Sequence, residues 1–223
     1  MRAKWLRHRG TWFVGVDALS NDSAGRVGTG PAFAGVALTA AVEATGVSQL
    51  HPAQVSITYP GYPMQDADES DGAYRFRRDR DAAHLDGLLA EGPAKRRHLR
   101  EPHAWIIGVA LTEAAANAAP LVVWPGSHRI IREAFEAEFQ GHAPETWADL
   151  DVTEAYKAAR AEVFSKCERV EVPLRKGESV LLHRQVIHGV APWAEGAVTE
   201  AAGRAVAYFR PCFDAPDRWL TAP

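Results

Sequence analysis

Four residues of this sequence could carry chemistry together: His84 and Asp86, one residue apart, His188 on a later apolar run, and Arg204 at the start of another. Two imidazoles and one carboxylate on one face of Fe(II) leave three adjacent positions open, which oxygen activation by iron needs. A nearby guanidinium can grip the far carboxylate of a chelating 2-oxoacid through two parallel hydrogen bonds. His-x-Asp is too short a pattern to decide anything alone. Its plain alternative is a solvated pair at the end of the charged run Arg77 to Asp81.

The elements that must position these groups can be read from periodicity. Alternation around Leu85 puts His84 and Asp86 on one face of a strand, and Gly87 lets the chain leave it. Lys176 to Gly189 reads as turn, strand, short corner and a second strand carrying His188; Arg204 to Phe209 is a further strand. Earlier strands are expected at Thr11 to Val16, Val55 to Tyr59, Trp105 to Leu111 and from Leu121 into the turn Pro125 to His128. Helices are expected over Pro31 to Thr45, after a Gly-Pro start, and over Ile131 to Phe139 and Thr153 to Lys166. Met64 to Asp81 is almost wholly charged or polar and reads as a solvated loop, or as a mobile lid because it runs into His84. The basic run Lys95 to Arg100 and that lid could favour an anionic substrate.

Composition limits the function classes. The 223 residues suffice for one domain with a substantial core, and 47% hydrophobic with 24% charged residues is the balance of a soluble globular chain. A net charge of −3 points to neither a nucleic-acid nor a membrane surface, so a small-molecule ligand is the default and the oligomeric state is left open. Cys167 and Cys212 stand far apart in no metal-binding spacing and read as reduced thiols of a cytoplasmic protein. The start, Met1 to Gly10, is basic like a signal peptide but is followed by no apolar core, and no stretch is long enough to span a bilayer.

Together, His84-Leu-Asp86, Leu121-Val-Val-Trp-Pro-Gly-Ser-His128, the stretch from Gly177 to His188 with His183 five residues before its end, and Arg204-Ala-Val-Ala-Tyr-Phe209 resemble the phytanoyl-CoA dioxygenase family of Fe(II) and 2-oxoglutarate dependent oxygenases. The resemblance spans roughly residues 80 to 210. It implies a mainly β fold with helical cover, a double-stranded β-helix of the jelly-roll, cupin-like kind. One domain over residues 1–223 is expected, with N-terminal helical cover to about residue 60 and a helical insertion at about 130–167.

Further implications concern the site. His84, Asp86 and His188 would be the iron ligands, with Arg204 binding 2-oxoglutarate and O2 as co-reactant in hydroxylation of a small molecule. Related halogenases carry a small residue where Asp86 stands, so Asp86 argues for hydroxylation or another oxidative outcome. The sequence departs from the family in that Arg204 follows His188 by sixteen positions, where about ten are usual. Arg210 is therefore a competitor, although Arg204 better fits the strand start. His128 and His183 read as structural or supporting histidines, and Tyr59 and Trp105 as core aromatics or pocket-lining ones. Two other readings stay open: a cupin-like metalloenzyme without 2-oxoglutarate, and a non-catalytic jelly-roll binding protein.

Overall fold

The computed structural model describes residues 5–223, so the reading of the basic start rests partly on residues 1–4, outside the described residues. A six-stranded antiparallel sheet is built in the order β1-β2-β3-β11-β6-β9, with β1 Leu6–Arg7, β2 Trp12–Gly15, β3 Gln54–Thr58, β6 Ile106–Ala110, β9 Ser179–Leu182 and β11 Arg204–Phe209. A second sheet runs β10-β7-β8, from β7 Leu121–Val123, β8 Val170–Val172 and β10 His188–Val190. A separate hairpin pairs β4 Leu88–Glu91 with β5 Arg96–Leu99. Helices are α1 Val36–Thr45, α2 Asp71–Asp79, α3 Ser127–Phe139, α4 Thr153–Lys166 and α5 Arg218–Thr221.

Strand parity sorts the core. In β6 and β9, Ile106 and Leu182 face one way and meet Leu121 and Val123 of the second sheet and Val186 in the corner before β10, with Tyr208 packed against them. On the opposite parity, Ile107, Ala207 and Phe209 join a larger cluster, in which Phe209 stacks on Phe33 at 4.9 Å between ring centroids. That cluster also holds Val122 of the second sheet and its flanking residues Trp124 and Ile187, together with Ile131 and Phe135 of α3 and Tyr156 and Val163 of α4. Alternating burial of this kind lets each strand serve an inner and an outer layer at once.

Two expectations need correction. The fold is mixed α/β, with helices carrying as much of the chain as strands, and the sheets are not closed into a barrel. The physical reason is strand length: β7, β8 and β10 are three residues each, too short to pair with the larger sheet at both rims, and apolar side chains rather than backbone ladders join the layers. The charged segment Met64 to Asp81 is not a plain loop, because residues 71–79 form α2. Ser70 caps that helix by accepting from Ala73 N–H, and Arg77 is buried in an ion pair with Glu69. Phe76 then packs on Phe164 of α4.

The basic run is likewise committed to structure. Arg96 pairs with Asp151 and Glu154, Arg100 pairs with Glu91 and Asp149, and Arg97 lies over the Tyr156 ring. These contacts tie the β4–β5 hairpin to the helical segment between β7 and β8, which leaves the run little charge for a ligand.

Candidate metal centre

His84 and His188 meet through an isolated antiparallel bridge outside the named ladders. Their backbones exchange both hydrogen bonds, His84 N–H to His188 O at 2.8 Å and His188 N–H to His84 O at 3.1 Å. Residues directly opposite in such a pair project to the same face. The bridge requires very close backbone approach. A Cβ on Gly189 would stand 2.2 Å from the Asp81 carbonyl oxygen, so only glycine admits the segment that carries His84. Asp81 is anchored by a two-pronged bond from Arg169 at 2.7 and 2.8 Å. After Asp86 the chain turns away at Gly87, with φ +86° and no room for a Cβ beside the Glu101 carbonyl.

The expected strand through His84 to Asp86 is thus reduced to a single bridge, yet the two side chains still converge. Ligand atoms of His84, Asp86 and His188 all lie within 4.8 Å of one another. Asp86 Oδ1 is 3.2 Å from His84 Nε2 and 3.8 Å from His188 Nε2. Each imidazole has Nδ1 against a carbonyl two residues earlier, His84 to Ala82 at 2.9 Å and His188 to Val186 at 3.1 Å. Only a protonated Nδ1 can donate to a carbonyl, so in the neutral rings Nε2 carries the lone pair, and it is Nε2 of each ring that faces Asp86 Oδ1. Side-chain exposure falls from 40% at His84 to 11% at Asp86 and 8% at His188, so the site opens on the His84 side.

Electrostatics favour a cation at this point. Burial opposes ionisation of Asp86, but the hydrogen bond with His84 and the charges of His188, Arg210 and His84 outweigh it and hold the carboxyl well below its usual range. Burial, then the charge of His84, pushes His188 down to about 4, which leaves it neutral and able to ligate. Burial also works against protonation of His84, but its bond to Asp86 prevails and raises it.

Arg204 is buried at the start of β11, opposite Thr58 of β3. Its Nη2 and the Thr58 Oγ1 are both buried without a hydrogen-bond partner. Two orphaned donors on neighbouring strands are costly unless an acceptor fills the space between them. Four residues further on, Tyr208 shares that face; burial raises its phenol, and the nearby Arg204 charge opposes the rise. The long stretch before Arg204 folds outward onto another loop, with bridges Ala118 to Trp193 and Ala114 to Thr199, so β11 keeps its register with β3.

Arg210, just past the end of β11, bonds Asp86 Oδ2 at 3.1 Å and Gln54 Oε1 at 3.0 Å. The cavity beside the three converging residues is lined by Trp12, Gln54, Ser56, Leu121, Tyr208 and Arg210. Trp105 is not among them: one position before β6, it points to the outer cluster and donates to the Val47 carbonyl. Tyr59 also lies off the cavity, at the end of β3. Gln54, Ser56 and Tyr208 escaped the sequence reading, although the alternation of Gln54, Ser56 and Thr58 with Val55 and Ile57 marks a polar inner face.

The chain belongs to the phytanoyl-CoA dioxygenase (PhyH) family, whose model matches residues 54–193, more than half its length. Among solved structures, it is similar to the non-heme alpha ketoglutarate dependent carbocyclase SnoK from nogalamycin biosynthesis, at 17% identity and TM-score 0.38, over 78% of this chain and 54% of that one. It is also similar to EctD from S. alaskensis, solved with 2-oxoglutarate and 5-hydroxyectoine, at 15% identity and TM-score 0.40, over 95% of this chain and 61% of that one. The chain therefore spans less than two thirds of these proteins. No curated protein matches it. No helix among the described residues is long and apolar enough to cross a membrane.

Proposed function

We propose that this protein is an Fe(II) and 2-oxoglutarate dependent dioxygenase that oxidises a small molecule, with hydroxylation the outcome favoured by Asp86. The observation that carries the reading is the convergence of His84 Nε2, His188 Nε2 and an Asp86 oxygen within 4.8 Å, with both Nδ1 atoms turned to carbonyls. In this reading the two facing sheets are an unclosed form of the double-stranded β-helix, and residues 1–223 act as one domain.

The residues fit the groups the family implies. His84, Asp86 and His188 would hold the iron on one face. Arg204 and Thr58, with their orphaned donors, suit the far carboxylate of 2-oxoglutarate. Iron with 2-oxoglutarate and O2 would supply the oxidising power for a C–H bond; the chain's own residues bind, orient and exclude water. Trp12 and Leu121 give the cavity apolar surface, while Gln54 and Ser56 offer polar contacts for orienting a substrate.

Anaerobic addition of Fe(II) and 2-oxoglutarate tests this directly. A weak visible charge-transfer band is expected, and Arg204→Ala should weaken 2-oxoglutarate binding by more than about tenfold without lowering metal affinity. Metal binding without the band would indicate a cupin-like enzyme, and absence of both a non-catalytic binding protein.

A further inference from the structure

Asp86 presents its two oxygens to different partners. Oδ1 faces the two imidazoles, at 3.2 Å from His84 Nε2 and 3.8 Å from His188 Nε2. Oδ2 faces away and accepts from Arg210 Nη1 at 3.1 Å. Arg210 is itself held at two further points: its Nη2 donates to Gln54 Oε1 at 3.0 Å, and its carbonyl accepts from His51 Nε2 at 3.0 Å. The side chain is 15% exposed, so these bonds form largely out of water.

A carboxylate can give a metal one oxygen or two. Chelation through both would occupy one of the three positions that a bidentate 2-oxoacid and dioxygen require. From this geometry we propose that Arg210 is a positioning residue that restricts Asp86 to a single metal-facing oxygen and so keeps a coordination position open for the cosubstrate. The proposal rests on the iron site described above. Gln54 enters as the brace that keeps the guanidinium aimed at Oδ2, and it stands directly opposite Tyr208 in the β3–β11 ladder. β11 and its first following residue then serve both ends of the cosubstrate, Arg204 by binding it and Arg210 by guarding the position that it occupies. A plainer role for Arg210 would be to neutralise a buried Asp86, to be released when a dication arrives.

Mn(II), stable in air and paramagnetic, separates the two roles when loaded in place of iron. The number of metal-bound waters is read from magnetic resonance in isotopically labelled water, and 2-oxoglutarate affinity is then titrated on the loaded protein. Wild type is expected to hold three waters and to lose two when 2-oxoglutarate binds. Arg210→Ala is expected to hold two waters and to bind 2-oxoglutarate about tenfold more weakly or worse, although Arg204 is intact. Gln54→Ala should shift both readings the same way by less. Three waters and wild-type affinity in Arg210→Ala would overturn the proposal and leave the iron reading standing. Should that variant not fold, Arg210→Lys decides: lysine cannot span Asp86 and Gln54 together, so an intermediate loss is expected and wild-type values overturn the proposal. Failure of the wild type itself to bind Mn(II) would remove the iron reading and this inference with it.

Discussion

Two histidine pairs in this protein look alike in spacing and differ in everything around them. His84 and His188 have ring centroids 4.6 Å apart; His128 and His183 have theirs 5.0 Å apart. The first pair shares the buried Asp86 carboxylate, whereas the second faces Arg129 and Arg132 in a surface cleft of about 580 Å³. Their tautomers differ too. His183 Nδ1 accepts from the Gln185 N–H at 3.1 Å, the reverse of the Nδ1 donors of His84 and His188, and its Nε2 lies 3.5 Å from Arg132 Nη2. Glu133 and Glu136 border the cleft, yet among the described residues only His84, Asp86 and His188 bring three ligand atoms together. A pair of imidazoles becomes a metal site through the backbone carbonyls that set Nδ1 and the carboxylate between the rings, and size of cavity is no guide.

The largest effect that could break this contrast is removal of a ring from either pair. His188→Ala should weaken Co(II) or Mn(II) binding by more than about 100-fold, and His183→Ala should leave it unchanged. Metal titration of the two variants side by side checks this; similar losses in both would mean that the pairs are not distinguished as their surroundings imply.

How far this contrast was visible in the sequence follows from what each feature depends on. The convergence of His84, Asp86 and His188 is legible because alternation around Leu85 puts His84 and Asp86 on one face, and the single bridge to His188 keeps that parity. The strand assigned to His84 and Asp86 was not real beyond one bridge, since Gly87 breaks it and Gly189 supplies the close approach from the other side. The reversed tautomer of His183 was invisible, because it depends on a main-chain N–H two residues away in a corner of the chain. Charge patterning marks Met64 to Asp81 as solvated, and most of its helix is exposed, but it hides the buried Arg77 there and the pairing within Lys95 to Arg100. Both runs look solvated or ligand-binding in one dimension, but Arg77 finds Glu69, and Arg96 and Arg100 find Asp151 and Glu91, across the fold. The sequence offers Arg210 only as a rival for the cosubstrate, because its bond to Asp86 joins residues 124 positions apart.

A proton count sharpens the same contrast with a smaller signal. The bond to Asp86 raises His84 above its ordinary value, so a share of the metal-free protein carries a proton on His84 near neutral pH that metal must displace. Proton release on Mn(II) binding should therefore be measurable as a dependence of binding heat on the ionisation heat of the buffer. The release should grow, and affinity fall, as pH drops through the raised His84 value. His188, already neutral down to about 4, adds nothing above that range. Heats independent of buffer would contradict the assignment of His84 as the protonated member of the pair.

The smallest effect belongs to the other pair and concerns stability. Burial, followed by the charges of Arg184, His128 and Arg132, lowers His183 to about 3, against 6.5 in an unfolded chain. The unfolded state therefore takes up the proton first, and stability that is intact above pH 6.5 is lost progressively as pH falls toward 3. The slope from this one group is at most about 1.4 kcal/mol per pH unit, and partial exposure of the ring reduces it. Asparagine can place an oxygen close to the Nδ1 position and so keep the acceptor for Gln185 N–H, while having no proton to gain. The difference in unfolding free energy between wild type and His183→Asn, followed by denaturant titration from pH 7 to 4, should move in favour of the variant as pH falls. A constant difference would show that His183 is not held neutral, and that the arginines do not set the second pair apart from the first.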